Sequence, residues 1–404
     1  MPEPTRPITR RALLAGAAVL SAACQSPAPP PRPRRILLRN SWQSVNIGDV
    51  GHTPGALAIL AKHVPEAEVT LWPGNLGHGA REMLMKGYPR LMIAEGSLDA
   101  QNKPSTPELA KAWDEADLYL SGSGSGFPAS HHAVAFHRTT GKPVGVLGVS
   151  TDPVSGFGPG REPEGGTLEE IRAKLASLPP THLNEDLRYI IDRSAFFFCR
   201  DTISRDFLRS QQVKTPILEF GPDAQLAMTL RDDASASAFL QANGLEAGKF
   251  ICVIPRLRYT PYYRIRNIPR VPDDDVKDAI NKRTTQKDHA KLRDMIVAYV
   301  KNTGNKVLAC AEMTYQVEMA KEVLVDPLPA AVRKNVVWRD SFWLPGRSGI
   351  RLRSGAGGDQ RGMPLAADRA ASRHAGDLRA PADRHLQGAD VPRFRFRRLV
   401  LRSG

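Results

Sequence analysis

Cysteine is scarce, four in 404 residues, and no two stand at the spacing of a metal site. That excludes a disulfide framework and a cysteine-zinc centre. Cys199, Cys252 and Cys310 lie in apolar runs and are expected as buried free thiols. The chain also lacks the nucleophile elbow of a Ser-His-Asp hydrolase, the lysine of a P-loop, the complete glycine fingerprint of a dinucleotide site and any RNA- or DNA-binding motif. The apolar run Ala12 to Ala23 is too short to span a bilayer as a mature anchor.

What is present is an ordinary globular composition, 41% hydrophobic and 24% charged, with a net charge of +14. Such a charge ordinarily marks a polyanion partner, but its distribution argues otherwise. Residues 346–404 hold thirteen Arg and five Asp with no Lys and no Glu, a net +8, and further Arg crowd the N-terminus. The central chain is near balance, so no nucleic-acid partner is expected.

Residues 1–34 read as an export signal and linker. Thr9-Arg10-Arg11-Ala12-Leu13-Leu14 sets a twin arginine before the short apolar run, which points to the twin-arginine route. Cys24 follows Ser21 and Ala23 and is either cleaved past or lipidated; Ser21 stands where a lipoprotein signal usually has Leu, which favours cleavage. The expected location is periplasmic or cell-envelope associated, with membrane contact only through a lipid anchor at Cys24. Pro27 to Pro33 is an extended spacer.

From Ile36 to Phe220 short apolar segments alternate with helical periods. Strands are predicted at Ile36 to Leu38, Glu68 to Leu71, Leu91 to Ile93, Leu118 to Ser121, Val144 to Val149, Phe196 to Cys199 and Ile217 to Phe220, with helices such as Pro54 to His63 and Ser130 to Thr140 between them. This alternation predicts an α/β domain over 35–232 with a parallel, doubly wound sheet. Asp152 to Gly166, rich in Pro and Gly, is expected as a mobile loop. A second α/β domain over 233–345 opens with strand Phe250 to Pro255, continues through a polar loop to about Lys287, and adds strands Lys306 to Cys310 and Val336 to Trp338. Three strands leave it incomplete.

The tail 346–404 has no sustained apolar period and lacks Lys, Glu, Asn, Thr, Tyr, Trp and Cys, the composition of a disordered Arg-rich segment. Permitted codons for the same stretch, read one nucleotide displaced, yield an amphipathic helix running into a strand and the peptide Glu-Cys-His-Ser-Pro. A frameshift after Pro345 is therefore expected, and the coding DNA there decides it.

Three stretches can carry chemistry. Asn46-Ile47-Gly48-Asp49 follows the first strand, where open α/β sheets bind ligands. Asp49 is expected as the helix cap and Pro54 in the first turn, leaving N–H groups that favour an anion; a tight turn uses the same residue types. Ser121-Gly122-Ser123-Gly124-Ser125-Gly126 follows a later strand and either lets a phosphate or carboxylate approach the backbone or is a flexible turn. His131, His132 and His137 beyond it have no carboxylate or Cys at ligand spacing, so packing or surface roles are expected and no metal site. Arg200-Asp201-Thr202-Ile203-Ser204 ends a very apolar strand, and Arg200 either receives a carboxylate or phosphate or pairs with Asp201 or Glu219. Phe220-Gly221-Pro222-Asp223 closes the next strand at the same sheet edge. In the second domain Arg256 and Arg258, interleaved with Tyr259, Tyr262 and Tyr263, suit an anionic donor or a stacked sugar, and Glu312 is a further edge candidate.

In order and spacing these stretches resemble the polysaccharide pyruvyl transferase family over about Ile36 to Pro345. The resemblance implies two Rossmann-like domains arranged as in GT-B glycosyltransferases and transfer of a carboxyvinyl group from phosphoenolpyruvate to a sugar hydroxyl, leaving a pyruvate ketal on an envelope glycan. It matches Asn46, Gly48 and Asp49 to the family's first loop, Gly122 and Gly124 to its Gly-rich turn, and Arg200, Asp201 and Ser204 to its Arg-Asp motif. The family's C-terminal His motif occurs only in the displaced frame. The expectation is a transferase needing no cofactor, with partners phosphoenolpyruvate and a polysaccharide acceptor. Asp49 would orient or deprotonate the hydroxyl, and Arg200, with Arg256 or Arg258, would hold the donor. The alternatives are a non-catalytic exported glycan-binding protein and a nucleotide-sugar glycosyltransferase.

Overall fold

A computed structural model describes residues 32–151, 153 and 168–344. The signal and lipidation residues, most of the Pro/Gly-rich loop and the Arg-rich tail lie outside the described residues. The first unit is a parallel sheet of seven strands: β1 (Arg35–Asn40), β2 (Glu68–Pro73), β3 (Met92–Ile93), β4 (Leu118–Ser121), β5 (Val144–Val149), β6 (Ser194–Cys199) and β7 (Leu218–Phe220), in the order β3-β2-β1-β4-β5-β6-β7. Strands buried on both faces read as continuous apolar runs, and β1 shows why. Leu37 packs with Trp72, Tyr119 and Phe136 on one side, while Ile36 and Leu38 pack with Leu57, Leu71 and Leu84 on the other.

Helices α1 (Ile47–His63), α2 (Ala80–Gly87), α3 (Pro107–Glu115), α4 (Ser130–Thr140), α5 (Leu168–Ser177), α6 (Glu185–Arg193) and α7 (Thr202–Ser210) cover the two faces. α1 starts well before the expected Pro54. Its N-cap is Asn46, whose Oδ1 accepts from the Gly48 N–H at 2.8 Å; Asp49 lies one turn inside. Pro54 therefore sits in the helix interior, where it offers no N–H, and not in the first turn.

After α8 (Asp233–Ala242) a second parallel sheet is built from β8 (Phe250–Val253), β9 (Lys306–Ala309) and β10 (Val336–Trp338), in the order β10-β9-β8. Its helices are α9 (Tyr262–Ile265), α10 (Pro272–Thr303), α11 (Gln316–Ala320), which runs on into a π-helical turn, and α12 (Ala330–Arg333). The polar loop expected to reach Lys287 ends at Val271, and from Pro272 on it is the first half of α10. Pro272 opens the helix and Asp274 caps it by accepting from the Val271 N–H. Polar residues fill most of its surface, so hydrophobic period alone does not reveal it.

The two units join through the loops that follow β1 and β9. The Ile47 N–H donates to the Glu312 carbonyl and the Thr314 N–H to the Val45 carbonyl, both at 3.0 Å, with Asn46 opposite Met313. Ile47 is buried among Phe250, Leu308, Cys310 and Trp343 of the second unit. Cys199 and Cys310 are buried thiols as expected; Cys252 is only half-buried, and the three form no disulfide. No described helix is long and apolar enough to cross a membrane.

Candidate functional site

The strand order reverses between β1 and β4, and at such a switch the loops on either side part to leave a crevice beyond the carboxyl ends of the strands. Here β1 ends at Asn40 and β4 at Ser121, followed by Gly122. The Asn40 side chain is fully buried, with neither amide atom hydrogen-bonded. Gly122 makes room for it: a Cβ at that position would lie 2.2 Å from the Asn40 Nδ2. Gly124 meets Pro128 and Trp42 in the same way, and pairs in parallel with Val149. The Gly-rich turn is thus a packed extension of β4, with Gly122 and Gly124 required by close approach.

On the α1 side of the crevice a charged network runs inward from Asp49. The Asp49 carboxylate accepts from Gln43 Nε2 at 2.7 Å and keeps 16% of its side-chain surface exposed. One turn on, His52 is buried; its Nε2 lies 3.1 Å from an Asp223 oxygen, and its Nδ1 faces Asp49 at 3.9 Å, beyond hydrogen-bond range. The same Asp223 oxygen accepts from the Arg200 guanidinium at 2.7 Å, and Arg200 Nε donates to Ser150 at 2.8 Å. Burial alone would lower the His52 pKa, but the Asp223 charge and hydrogen bond, with Asp49 beyond, outweigh it and raise it. Burial would raise Asp223 likewise, yet His52 and Arg200 hold its carboxyl well below the usual carboxylate range.

The expected site residues thus fall into distinct places. Asp49 reaches the crevice. Arg200 pairs with neither Asp201 nor Glu219 but with Asp223, so its charge is neutralised within the fold. Asp201 and Ser204 are buried and bind each other as the N-cap of α7: the Ser204 N–H and hydroxyl both donate to Asp201, at 2.7 and 2.8 Å. Asn46 caps α1, and Gly48 leaves space for the Asn46 and Gln225 side chains. Arg256 and Arg258 follow β8 on the opposite wall, Arg256 beside Glu312 at 3.3 Å and Arg258 bidentate on Asp288. The Tyr262 hydroxyl comes against Gln43, where the charges of Asp49 and Arg256 both act on it. Sequence reasoning missed the pairing of His52 with Asp223. Its traces were the Asp49, His52 spacing on one helical face and the Asp223 loop at the same sheet edge. Among the described residues no group of three or more His, Cys, Asp and Glu side chains is placed to hold a metal.

No protein-family model and no curated protein matches the chain. The chain is similar to several solved structures. HepE of Anabaena in complex with UDP-glucose is 12% identical, covering 78% of this chain and 71% of its own, with a TM-score of 0.40. The MnaA–UDP structure from S. aureus is 9% identical, covering 89% and 87%, with a TM-score of 0.46. UDP-GlcNAc 2-epimerase from Neisseria meningitidis, bound to UDP-GlcNAc, is 10% identical, covering 89% and 92%, with a TM-score of 0.44. The chain itself folds as two Rossmann-type α/β units with parallel sheets.

Proposed function

We propose that the protein is a transferase acting on a hydroxyl group of a glycan, with Asp49 as the proton acceptor. The observation that carries this reading is Asp49 itself. It is a partly exposed carboxylate at the switch-point crevice, oriented by Gln43, backed by the buried His52, Asp223 and Arg200 network, and faced by Tyr262 of the other unit.

For the donor, a crevice at the strand-order switch point of a Rossmann-type unit suits a nucleotide-diphosphate sugar. The acceptor oxygen would then bond to the anomeric carbon as the bond to the diphosphate breaks, its proton passing to Asp49 and the nucleoside diphosphate leaving. Carboxyvinyl transfer from phosphoenolpyruvate is the second reading, supported by the motif series at Asn46, Gly122 and Arg200. The pairing of Arg200 with Asp223 counts against it, because that reading gives Arg200 to the donor. Export to the envelope rests on the signal at Thr9 to Leu14.

Calorimetric titration with UDP, UDP-glucose and phosphoenolpyruvate separates the donors. Saturable binding of the uridine nucleotides, weakened in Arg256→Ala and not displaced by phosphoenolpyruvate, is expected. Binding of phosphoenolpyruvate alone would instead establish the carboxyvinyl reading. Glycan binding with no affinity for either donor would mark a non-catalytic glycan-binding protein.

A further inference from the structure

On the other face of β1, away from Asn40, lies a second polar cluster that the transferase reading does not use. In the register of β1 and β4, Leu37 is opposite Tyr119 and Arg39 opposite Ser121, so Arg39, Tyr119 and Ser121 share the face covered by α3 and α4. Arg39 is 8% exposed. Its Nε donates to His132 Nδ1 at 3.2 Å and its Nη1 to the Trp72 carbonyl at 3.1 Å, and the guanidinium lies over the rings of Trp72 and Trp42, at 4.6 and 5.1 Å. None of these partners is a carboxylate.

A buried guanidinium is ordinarily compensated by an acid, because a buried charge left unpaired is strongly destabilising. Here burial without an acid lowers the Arg39 pKa, and burial, with the Arg39 cation second, pushes His132 down to about 3, so His132 is neutral beside it. Two further groups are unsatisfied at the same place: Tyr119 Oη and Ser121 Oγ are buried with no hydrogen-bond partner. α4 opens over this cluster, with His132 in its first turn and no side chain capping its N-terminus. Beside it His131 is exposed and Trp42 and His132 are half-buried.

We propose that Arg39, Ser121 and Tyr119, beneath the first turn of α4, form a binding site for an oxyanion of carboxylate or phosphate type. Arg39 supplies the charge and the two hydroxyls supply donors. The ring faces of Trp72 and Trp42 hold the guanidinium plane in place, which suits a planar or tetrahedral oxyanion entering past His131. Trp42 links this site to the crevice: its indole N–H donates to the Ser123 carbonyl, and the Ser123 hydroxyl accepts from the Ala224 N–H beside Asp223. The site does not depend on the transferase reading, and its test is binding and not turnover.

The test is calorimetric titration of the full chain with inorganic phosphate, glucose 6-phosphate, glucuronate and, as the uncharged control, glucose. Saturable binding of the anions and none of glucose is expected, with affinity falling at least about tenfold in Arg39→Met and about tenfold in Ser121→Ala, the loss of one charge-assisted hydrogen bond. Ser121→Ala and Tyr119→Phe remove unbonded hydroxyls and should leave thermal unfolding unchanged, so they carry the test if Arg39→Met fails to fold. Binding of the sugar acids without free phosphate would identify a sugar-borne anion, and binding of phosphate alone a free one; either supports the site. No saturable anion binding by folded protein, or binding equal in wild type, Arg39→Met and Ser121→Ala, would overturn it.

Discussion

Asp223 is the residue on which the crevice turns. It lies 171 positions from His52 and binds both that imidazole and Arg200 through one oxygen. The linkage follows from the two pKa directions. His52 is raised above its ordinary 6.5, so its pairing contributes fully below that value and is lost as pH rises through the raised one. Asp223 is depressed below its ordinary 3.8, so its contribution is present above that value and is lost only in strong acid. Scanning calorimetry between about pH 5 and pH 9 should find the melting temperature falling on the alkaline side. His52→Gln, which keeps an amide donor but does not titrate, should flatten that fall; an unchanged pH profile in the variant would show that His52 does not titrate against Asp223. The sequence made Arg200 and Asp223 visible as strand-end residues. Their pairing was not legible, because sequence spacing carries no information about which of several strand-end acids meets a given guanidinium.

Among the elements, strands were the most legible. β4 and β5 run over the same residues as expected, because short apolar runs bounded by turns leave little latitude. Helix starts were less so. α1 begins at a capping Asn followed by Ile-Gly, and its early turns are buried on more than one side, Ile47 by the second unit and Gly51 and Gly55 by residues 224–228, instead of showing one apolar stripe. α10 was hidden by its polar surface. The sharpest packing constraint is Gly55 in α1, where an added Cβ would lie 1.9 Å from the Ala224 carbonyl oxygen. Backbone cannot yield there as a side chain can, so Gly55→Ala should destabilise by about 1–3 kcal/mol or more. Urea denaturation is the check, with a lowered midpoint and an unchanged slope expected.

For the whole molecule, the stretch Val45 to Asp49 does two jobs. Its backbone pairs with residues 312–314 and locks one unit to the other, while Asp49 stands in the crevice between them. The doubly wound first sheet and a three-stranded second sheet were legible from alternation alone; the way the two meet was not, since besides the burial of Ile47 it rests on backbone hydrogen bonds that any side chains permit. The most direct measurement of the glycan-transferase reading is turnover of a labelled UDP-sugar or phosphoenolpyruvate on an envelope glycan by wild type and Asp49→Asn. Expected is transfer of label to the glycan, reduced about 10²- to 10⁴-fold in Asp49→Asn with unfolding temperature unchanged. Label transfer at equal rates by both proteins, or none from any donor by folded wild type, would contradict it.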